Sequence, residues 1–391
     1  MKKVLIFSLA YYPTFASGAE VAIKEITDRI DESDVEFHMI TLLFDRTQPR
    51  EEKIGNVIVH RVGFGGGYLS KMLYIPLAAL TARSLHAKLH FDGIWSVMTY
   101  MLFPVVLAKK LGVSVPHLLT LQDGDPYEKV FARWFIRPFI SILNAGFRSA
   151  KVVQAISTYL ATWPALRGYQ GVVEVVPNGA SLASAKEYPA DELEALKREV
   201  GKKEGEVFLV SVSRLVHQKG IDTIIRALPL LSANIRLLVV GDGPDRGMLA
   251  QLASELGVQD RVIFTGLVDR TMTAKYRKIS DIFVSPSRSE GQGISFVSTM
   301  LSGLPMIATQ EGGLADFVFD AERDPDKETT GWAVDKDSPQ QIAEAVKDIL
   351  AHPEQVERVT ATAKKFAQEN FDWNLITVKM RTLFDQLFEK E

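Results

Sequence analysis

Apolar runs of strand length alternate with longer stretches of helical periodicity along most of this chain. VLIFSLA (4–10), FHMITLLF (37–44), VIVHRV (57–62), GIWSV (93–97), HLLTLQ (117–122) and VVQAIS (152–157) form a first block. The rhythm restarts with VFLVSVSRL (207–215), IRLLVVGDG (235–243), RVIFTGL (261–267) and DIFVSPS (281–287), and a last strand-like run is GWAV at 331–334. Runs this continuous are apolar on both faces, as strands of a parallel sheet covered by helical crossovers are. Two such blocks predict an α/β protein of two Rossmann-like, doubly wound domains. Between them, near 180–205, the sequence turns polar and loses the strand rhythm, which places the domain boundary there. The predicted division is residues 1–187, residues 188–370 and a terminal segment, 371–391. Helices are predicted at about 339–351, 354–369 and 373–388.

The 391 residues suffice for two cores, and 47% hydrophobic with 24% charged residues is ordinary for a globular protein. No cysteine occurs, which excludes disulfides, zinc–thiolate sites and a thiol nucleophile and fits a reducing compartment such as the cytoplasm. The start, MKKVLIFSLAYYP, has the charge of a signal peptide, but its apolar run is short and unbounded by a cleavage pattern. It reads as a buried first strand. No run approaches the roughly 20 apolar residues that span a bilayer. The net charge of -3 conceals an asymmetry: residues 1–185 carry 19 Lys and Arg against 15 Asp and Glu, the remainder 26 against 33. The basic excess is concentrated at 68–151, a modest feature without a nucleic-acid motif beside it.

In doubly wound folds ligands gather beyond the carboxyl ends of the strands. The first such segment, YYPTFASGAE, puts Ser17, Gly18 and Ala19 at a helix start, where bare amides can approach a phosphate. A plain strand–helix turn explains them as simply. In VSRLVHQKGIDTIIRAL, Arg214 closes a strand and Lys219-Gly220 opens a helix, giving two cations at a helix N-terminus suited to a diphosphate. In VVGDGPDRGML, Gly241 and Gly243 serve a tight turn as readily as a ligand. In SPSRSEGQGISFVSTMLSGLP, Glu290 offers a carboxylate to sugar hydroxyls, and glycines before the next helix leave amides bare. Gly312-Gly313 in EGGLADFV follows a further strand and reads as a turn.

The strand-Arg-x4-Lys-Gly segment, GDGP, SEGQG and EGGLADFV occur in that order, with SGAE near the start, AIS at 155–157, PNG at 177–179 and a terminal FDW helix. This ordered set resembles the retaining family-four glycosyltransferases of the GT-B fold across essentially the whole chain. The resemblance implies two domains facing across a cleft, the first taking the acceptor and the second the nucleotide sugar, with the last helix bracing the first domain. It also implies a UDP- or GDP-linked hexose donor, no further cofactor, and a glycan, lipid-linked or small-molecule acceptor. Arg214 and Lys219 would neutralise the departing diphosphate, with Gly18 approaching it from the opposite wall. Glu290 would hold the donor sugar, supported by the amides of Gly293, Ile294 and Ser295, and Val268 would position the base. Gln122 and Asp123 would stand at the reaction centre, with Asp125 and Tyr127 on the acceptor side. The reaction implied is a front-face displacement that needs no enzymic carboxylate nucleophile, unlike that of retaining hydrolases.

Two positions depart from the family pattern. Ser298 stands where a second glutamate would grip the ribose, which predicts weaker or altered nucleotide binding. Gln122 stands where a histidine is common, so an amide replaces a group capable of acid–base work. His117, within the strand, is expected to pack. Asp123-Gly124-Asp125 spells an aspartate-x-aspartate metal motif, yet the diphosphate already has cationic protein partners, and metal independence is expected. Segments 129–151 and 68–90 mix aromatic, aliphatic and basic residues as an interfacial helix does, with Pro138 interrupting the first. Core packing and peripheral contact with the anionic inner face of a membrane both account for them. A nucleotide-sugar epimerase and a non-catalytic sugar-nucleotide-binding module remain alternative readings.

Overall fold

The computed structural model describes residues 1–14, 17–180 and 186–389. Phe15 and Ala16 of the first post-strand segment, and residues 181–185 of the boundary segment, lie outside the described residues. The chain forms two compact units, Met1–Asn178 with Trp373–Glu391, and Gly179–Asp372.

The first unit is built on eight strands: β1 (Lys2–Phe7), β2 (Val35–Leu42), β3 (Glu51–Ile54), β4 (Val57–Val62), β5 (Gly93–Val97), β6 (His117–Leu121), β7 (Val152–Ala155) and β8 (Val173–Val175). Their order is β3-β4-β2-β1-β5-β6-β7-β8, parallel throughout except that β3 runs antiparallel to β4. β3 is the polar edge strand EEKI, joined to β4 by a turn in which Gly55 takes φ +56°. The strand order reverses between β1 and β5, so the post-strand residues of this sheet gather there. Helix Trp373–Phe388 contributes Trp373, Ile376, Met380, Phe384 and Leu387 to the core that includes Val4, Phe37 and Trp95. It lies so close that a Cβ on Gly93 would stand 2.7 Å from Leu387 Cδ2. His117 is buried on β6, where its Nε2 meets Ser96 Oγ at 2.7 Å and burial holds its pKa well below the ordinary histidine value.

The second unit carries β9 (Val207–Val212), β10 (Ile235–Val240), β11 (Val262–Gly266), β12 (Ile282–Ser285), β13 (Met306–Ala308) and β14 (Trp332–Ala333). All pairings are parallel in the order β11-β10-β9-β12-β13-β14. Leu209, Ile282 and Val284 point into one core, and Val210 and Phe283 into another on the opposite face. This two-sided burial explains the absence of polar alternation in these strands. The order reverses between β9 and β12, which makes their carboxyl ends the predicted ligand position of this unit.

Segment 129–151 is not one helix. Helix Tyr127–Phe131 stops, a 3-10 turn spans Arg137–Phe139, and helix Ile140–Arg148 follows. Pro138 supplies no amide hydrogen and sits where a helix start tolerates it.

Candidate active site

Arg214 and Lys219 follow the end of β9, and Glu290 and Gly293 follow the end of β12, the neighbouring strand at the strand-order reversal of the second sheet. The Lys219 ammonium is ion-paired with Glu290 Oε2, and both side chains are largely buried. Lys219 ends a 3-10 turn, His217–Lys219, and Gly220 then takes φ +66° to start helix Ile221–Ala227. A Cβ on Gly220 would lie 2.2 Å from the Pro286 carbonyl oxygen, so glycine is what lets the Lys219 turn lie against the Glu290 segment. The Glu290 carbonyl accepts the Gly313 N–H at 3.0 Å, and a Cβ on Gly312 would stand 2.2 Å from the same oxygen. The glycine pair read as a turn in the sequence therefore holds the backbone of Glu290.

Gly241 and Gly243 bracket Arg214 from below. A Cβ on Gly241 would be 2.1 Å from the Ser213 carbonyl oxygen, and one on Gly243 would be 2.2 Å from that of Leu215. Hydrogen bonds from Ser213 N–H to Val240 O (3.1 Å) and from Leu215 N–H to Asp242 O (2.9 Å) run between the same segments. Close backbone packing accounts for both glycines, and its product is a fixed loop presenting the exposed Arg214 side chain. Helix Ile294–Ser302 starts from Gly293 at φ +87°, leaving the amides of Ile294 and Ser295 at its first turn. Ser298 is buried in that helix, and Val268 is half-buried after β11.

Arg288 was not singled out by the sequence reading. Its guanidinium grips Asp222 with two hydrogen bonds of 2.9 and 2.8 Å, donates to Asp337 Oδ1 at 2.6 Å and to the His217 carbonyl, and its backbone N–H donates to Gln218 O at 2.7 Å. Burial by itself would raise the Asp222 carboxyl, but the Arg288 hydrogen bonds and charge hold it below its ordinary value. The signal was present in SPSRSEG: a cation two residues before Glu290 at the mouth of a buried strand.

In the first unit, the ends of β5 and β6 meet at Asp123. Its Oδ2 accepts from Thr99 N–H (3.1 Å) and Thr99 Oγ1 (2.8 Å). Burial raises its pKa from 3.8 to about 6, against the opposing Thr99 hydrogen bonds. Gln122 is engaged: its amide exchanges two hydrogen bonds with that of Asn178, at 3.2 and 3.1 Å. Asp125 is ion-paired with Lys129 at 2.9 Å and Arg133 at 2.6 Å. Tyr127 packs edge-on to Trp163 with the Arg167 guanidinium 4.8 Å from its ring centre. Gly18 is the exposed first residue of helix Gly18–Thr27, whose N-terminus is already met by the Glu20 carboxylate, 2.9 Å from Ser17 N. Among the described residues no group of three His, Asp or Glu side chains is placed to hold a metal ion.

The Asp123 environment fixes a pH dependence. Between pH 3.8 and about 6 the folded chain holds a proton that the unfolded chain has released, so stability falls as pH rises through that window. The cost, roughly 3 kcal/mol, is complete above it. Asp123→Asn keeps an acceptor for Thr99 and removes the charge. It is expected to melt higher than the parent at pH 8 and level with it at pH 4, as thermal melts at the two values would register.

Two doubly wound α/β units, the second with Lys219 and Glu290 paired at its strand-order reversal, form an architecture shared with solved GT-B glycosyltransferases. Anabaena HepE, crystallised with UDP-glucose, superposes with a TM-score of 0.80 over 98% of this chain and 100% of its own, at 20% identity. Residues 16–184 match the sequence model of Glycosyltransferase Family 4, and residues 193–366 that of Glycosyl transferases group 1. The alpha-monoglucosyldiacylglycerol synthase of Streptococcus pneumoniae is 32% identical over 326 residues, 81% of this chain and 73% of that protein. A GDP-mannose-dependent phosphatidylinositol monomannoside mannosyltransferase of Mycolicibacterium smegmatis is 33% identical over 175 residues, 42% of this chain and 44% of that one. The chain belongs to the family-four glycosyltransferases.

Proposed function

We propose that this chain transfers a hexose from a UDP- or GDP-linked donor to a hydroxyl of a glycolipid or lipid-linked acceptor, with retention of configuration and without a metal. The observation that carries the reading is the Lys219–Glu290 pair at the β9/β12 reversal, with Arg214 on the same post-β9 loop as Lys219 and helix Ile294–Ser302 starting four residues after Glu290. In this reading the Lys219 ammonium and Arg214 guanidinium receive the diphosphate, and Glu290 accepts hydrogen bonds from the sugar hydroxyls. The anomeric carbon–phosphate oxygen bond breaks while the acceptor oxygen bonds to the same face of that carbon. The acceptor's proton passes to the departing diphosphate. Charge grows on the diphosphate as the bond breaks, so fixed cations contribute most in the transition state. The first unit takes the acceptor.

A lipid acceptor is supported by the two relatives named for lipid substrates and by the surface of the first unit. Trp134 is 82% and Tyr68 68% exposed, accompanied by Leu69, Met72, Phe135 and Phe139, with exposed Lys71 and Arg137 among them. The helices bearing or adjoining these residues, Tyr68–Leu89 and Ile140–Arg148, both pack on helix Leu102–Lys110. No helix among the described residues is long and apolar enough to cross a membrane. The expected mode is insertion of aromatic side chains into the headgroup region with cations on anionic lipid. The chain is expected to float with vesicles containing phosphatidylglycerol, and Trp134→Ala with Phe139→Ala to weaken binding roughly tenfold or more. Absence of co-flotation at low salt would dispose of the membrane contact.

Donor identity is tested by calorimetric titration with UDP and GDP and by product analysis with their glucose and mannose conjugates. Nucleotide binding without any product would favour the non-catalytic binding module, the reading for which Ser298 and the engaged Gln122 speak.

A further inference from the structure

We infer that Arg288 is a positioning residue for Lys219, setting where the ammonium stands relative to the donor phosphates; the inference rests on the role proposed above for Lys219. Hydrogen bonds from Arg288 and the Lys219–Glu290 pair tie the segment after β12 to the His217–Lys219 turn. The Arg288 N–H donates to Gln218 O at 2.7 Å, the Arg288 guanidinium donates to the His217 carbonyl, and Lys219 itself pairs with Glu290. The two backbone contacts from Arg288 hold the two peptide units immediately before Lys219.

The guanidinium is itself fixed from two sides. The fork of hydrogen bonds to Asp222 anchors it to the helix that begins one residue after Gly220, so the turn is clasped between its own helix and the β12 loop. Asp337, at φ +61°, closes the outer side through Arg288 Nε at 2.6 Å. A planar five-donor group meets a carboxylate, a second carboxylate and a carbonyl at once, which a lysine ammonium cannot reproduce. Gly220 allows this approach by pressing against the Pro286 carbonyl, two residues before Arg288. The guanidinium is taken up by Asp222, Asp337 and the His217 carbonyl, so its effect passes through the Lys219 turn.

A positioning role predicts coupling. In the full chain with a donor that turns over, Arg288→Ala is expected to lower kcat about a hundredfold, the scale of a misplacement of about 1 Å, with little change in acceptor KM. In a Lys219→Ala background the same change is expected to cost no more than about threefold, because the group being positioned is gone. Arg288→Lys should resemble the alanine variant, since its charge survives but its fork does not. Equal losses in both backgrounds, or full rescue by lysine, would overturn the inference. A readout independent of turnover is the rate at which acetic anhydride labels Lys219, followed by peptide mass spectrometry. Arg288→Ala should raise it several-fold relative to Lys109, a lysine of the other unit, and an unchanged ratio would count against the proposal. If the parent chain transfers no sugar, the functional reading fails alone, and the labelling ratio still decides the role of Arg288.

Discussion

Lys219→Ala is expected to reduce turnover by about three orders of magnitude at saturating donor. Removing one preorganised donor to developing charge typically costs 10²–10³ in rate, and here the lost donor carries a full charge in a largely buried position. The effect should fall on kcat more than on donor KM, because the diphosphate bears more charge as its bond to the sugar breaks. Folding should survive. Loss of the partner leaves Glu290 partly buried and unpaired, a cost of order 1–3 kcal/mol, so a melting temperature a few degrees lower is anticipated. Arg214, which is exposed, should matter less, because solvent screens a charge at that position. Steady-state rates with the variants at matched donor saturation provide the check. A loss below about fivefold at Lys219 would remove it from the chemistry.

Gly312→Ala should be strongly damaging although it alters no charge or hydrogen-bonding side chain. Its Cβ would fall 2.2 Å from the Glu290 carbonyl oxygen, and that oxygen also holds the Gly313 N–H. Backbone atoms cannot yield as a flexible side chain does, so the Glu290 loop must move. The expected outcome is loss of most activity and destabilisation of about 2–4 kcal/mol. Gly303→Ala is the control. Gly303 also has positive φ, +72°, but nothing lies within 4 Å of its Cβ position. It should cost only the left-handed strain of about 1 kcal/mol and leave turnover intact. Comparison of the two variants by thermal melting and initial rate separates backbone strain from displacement of the carboxylate. Equal activity in both would mean that Glu290 is not held through Gly312.

The fold was legible because its strands are buried on both faces and therefore appear as unbroken apolar runs. β3 escaped notice because EEKI is a polar edge strand whose pairing depends on a hairpin turn at Gly55. The candidate site was legible in its local parts. Arg214 and Lys219 announce themselves as cations at a strand end, as Glu290 does through its glycines. What the chain did not disclose is long-range. The Gln122–Asn178 amide pair joins residues 56 apart, and the Arg288–Asp222 fork joins residues 66 apart. Neither produces a spacing that can be read along the sequence. The glycines followed the same logic: Gly241 and Gly243 looked like turn residues, and only the backbone on the other side of the approach reveals that they support Arg214.

Retention places departure and attack on one face of the sugar and is the most exacting consequence of this account. Proton NMR of the glycoside formed from an α-linked UDP- or GDP-hexose, recorded early in the reaction, reads the anomeric configuration directly. An α-linked product is the result predicted by same-face displacement onto an outgoing diphosphate held by Lys219 and Arg214. A β-linked product would contradict it, requiring attack from the opposite face and a base that the proposed mechanism does without.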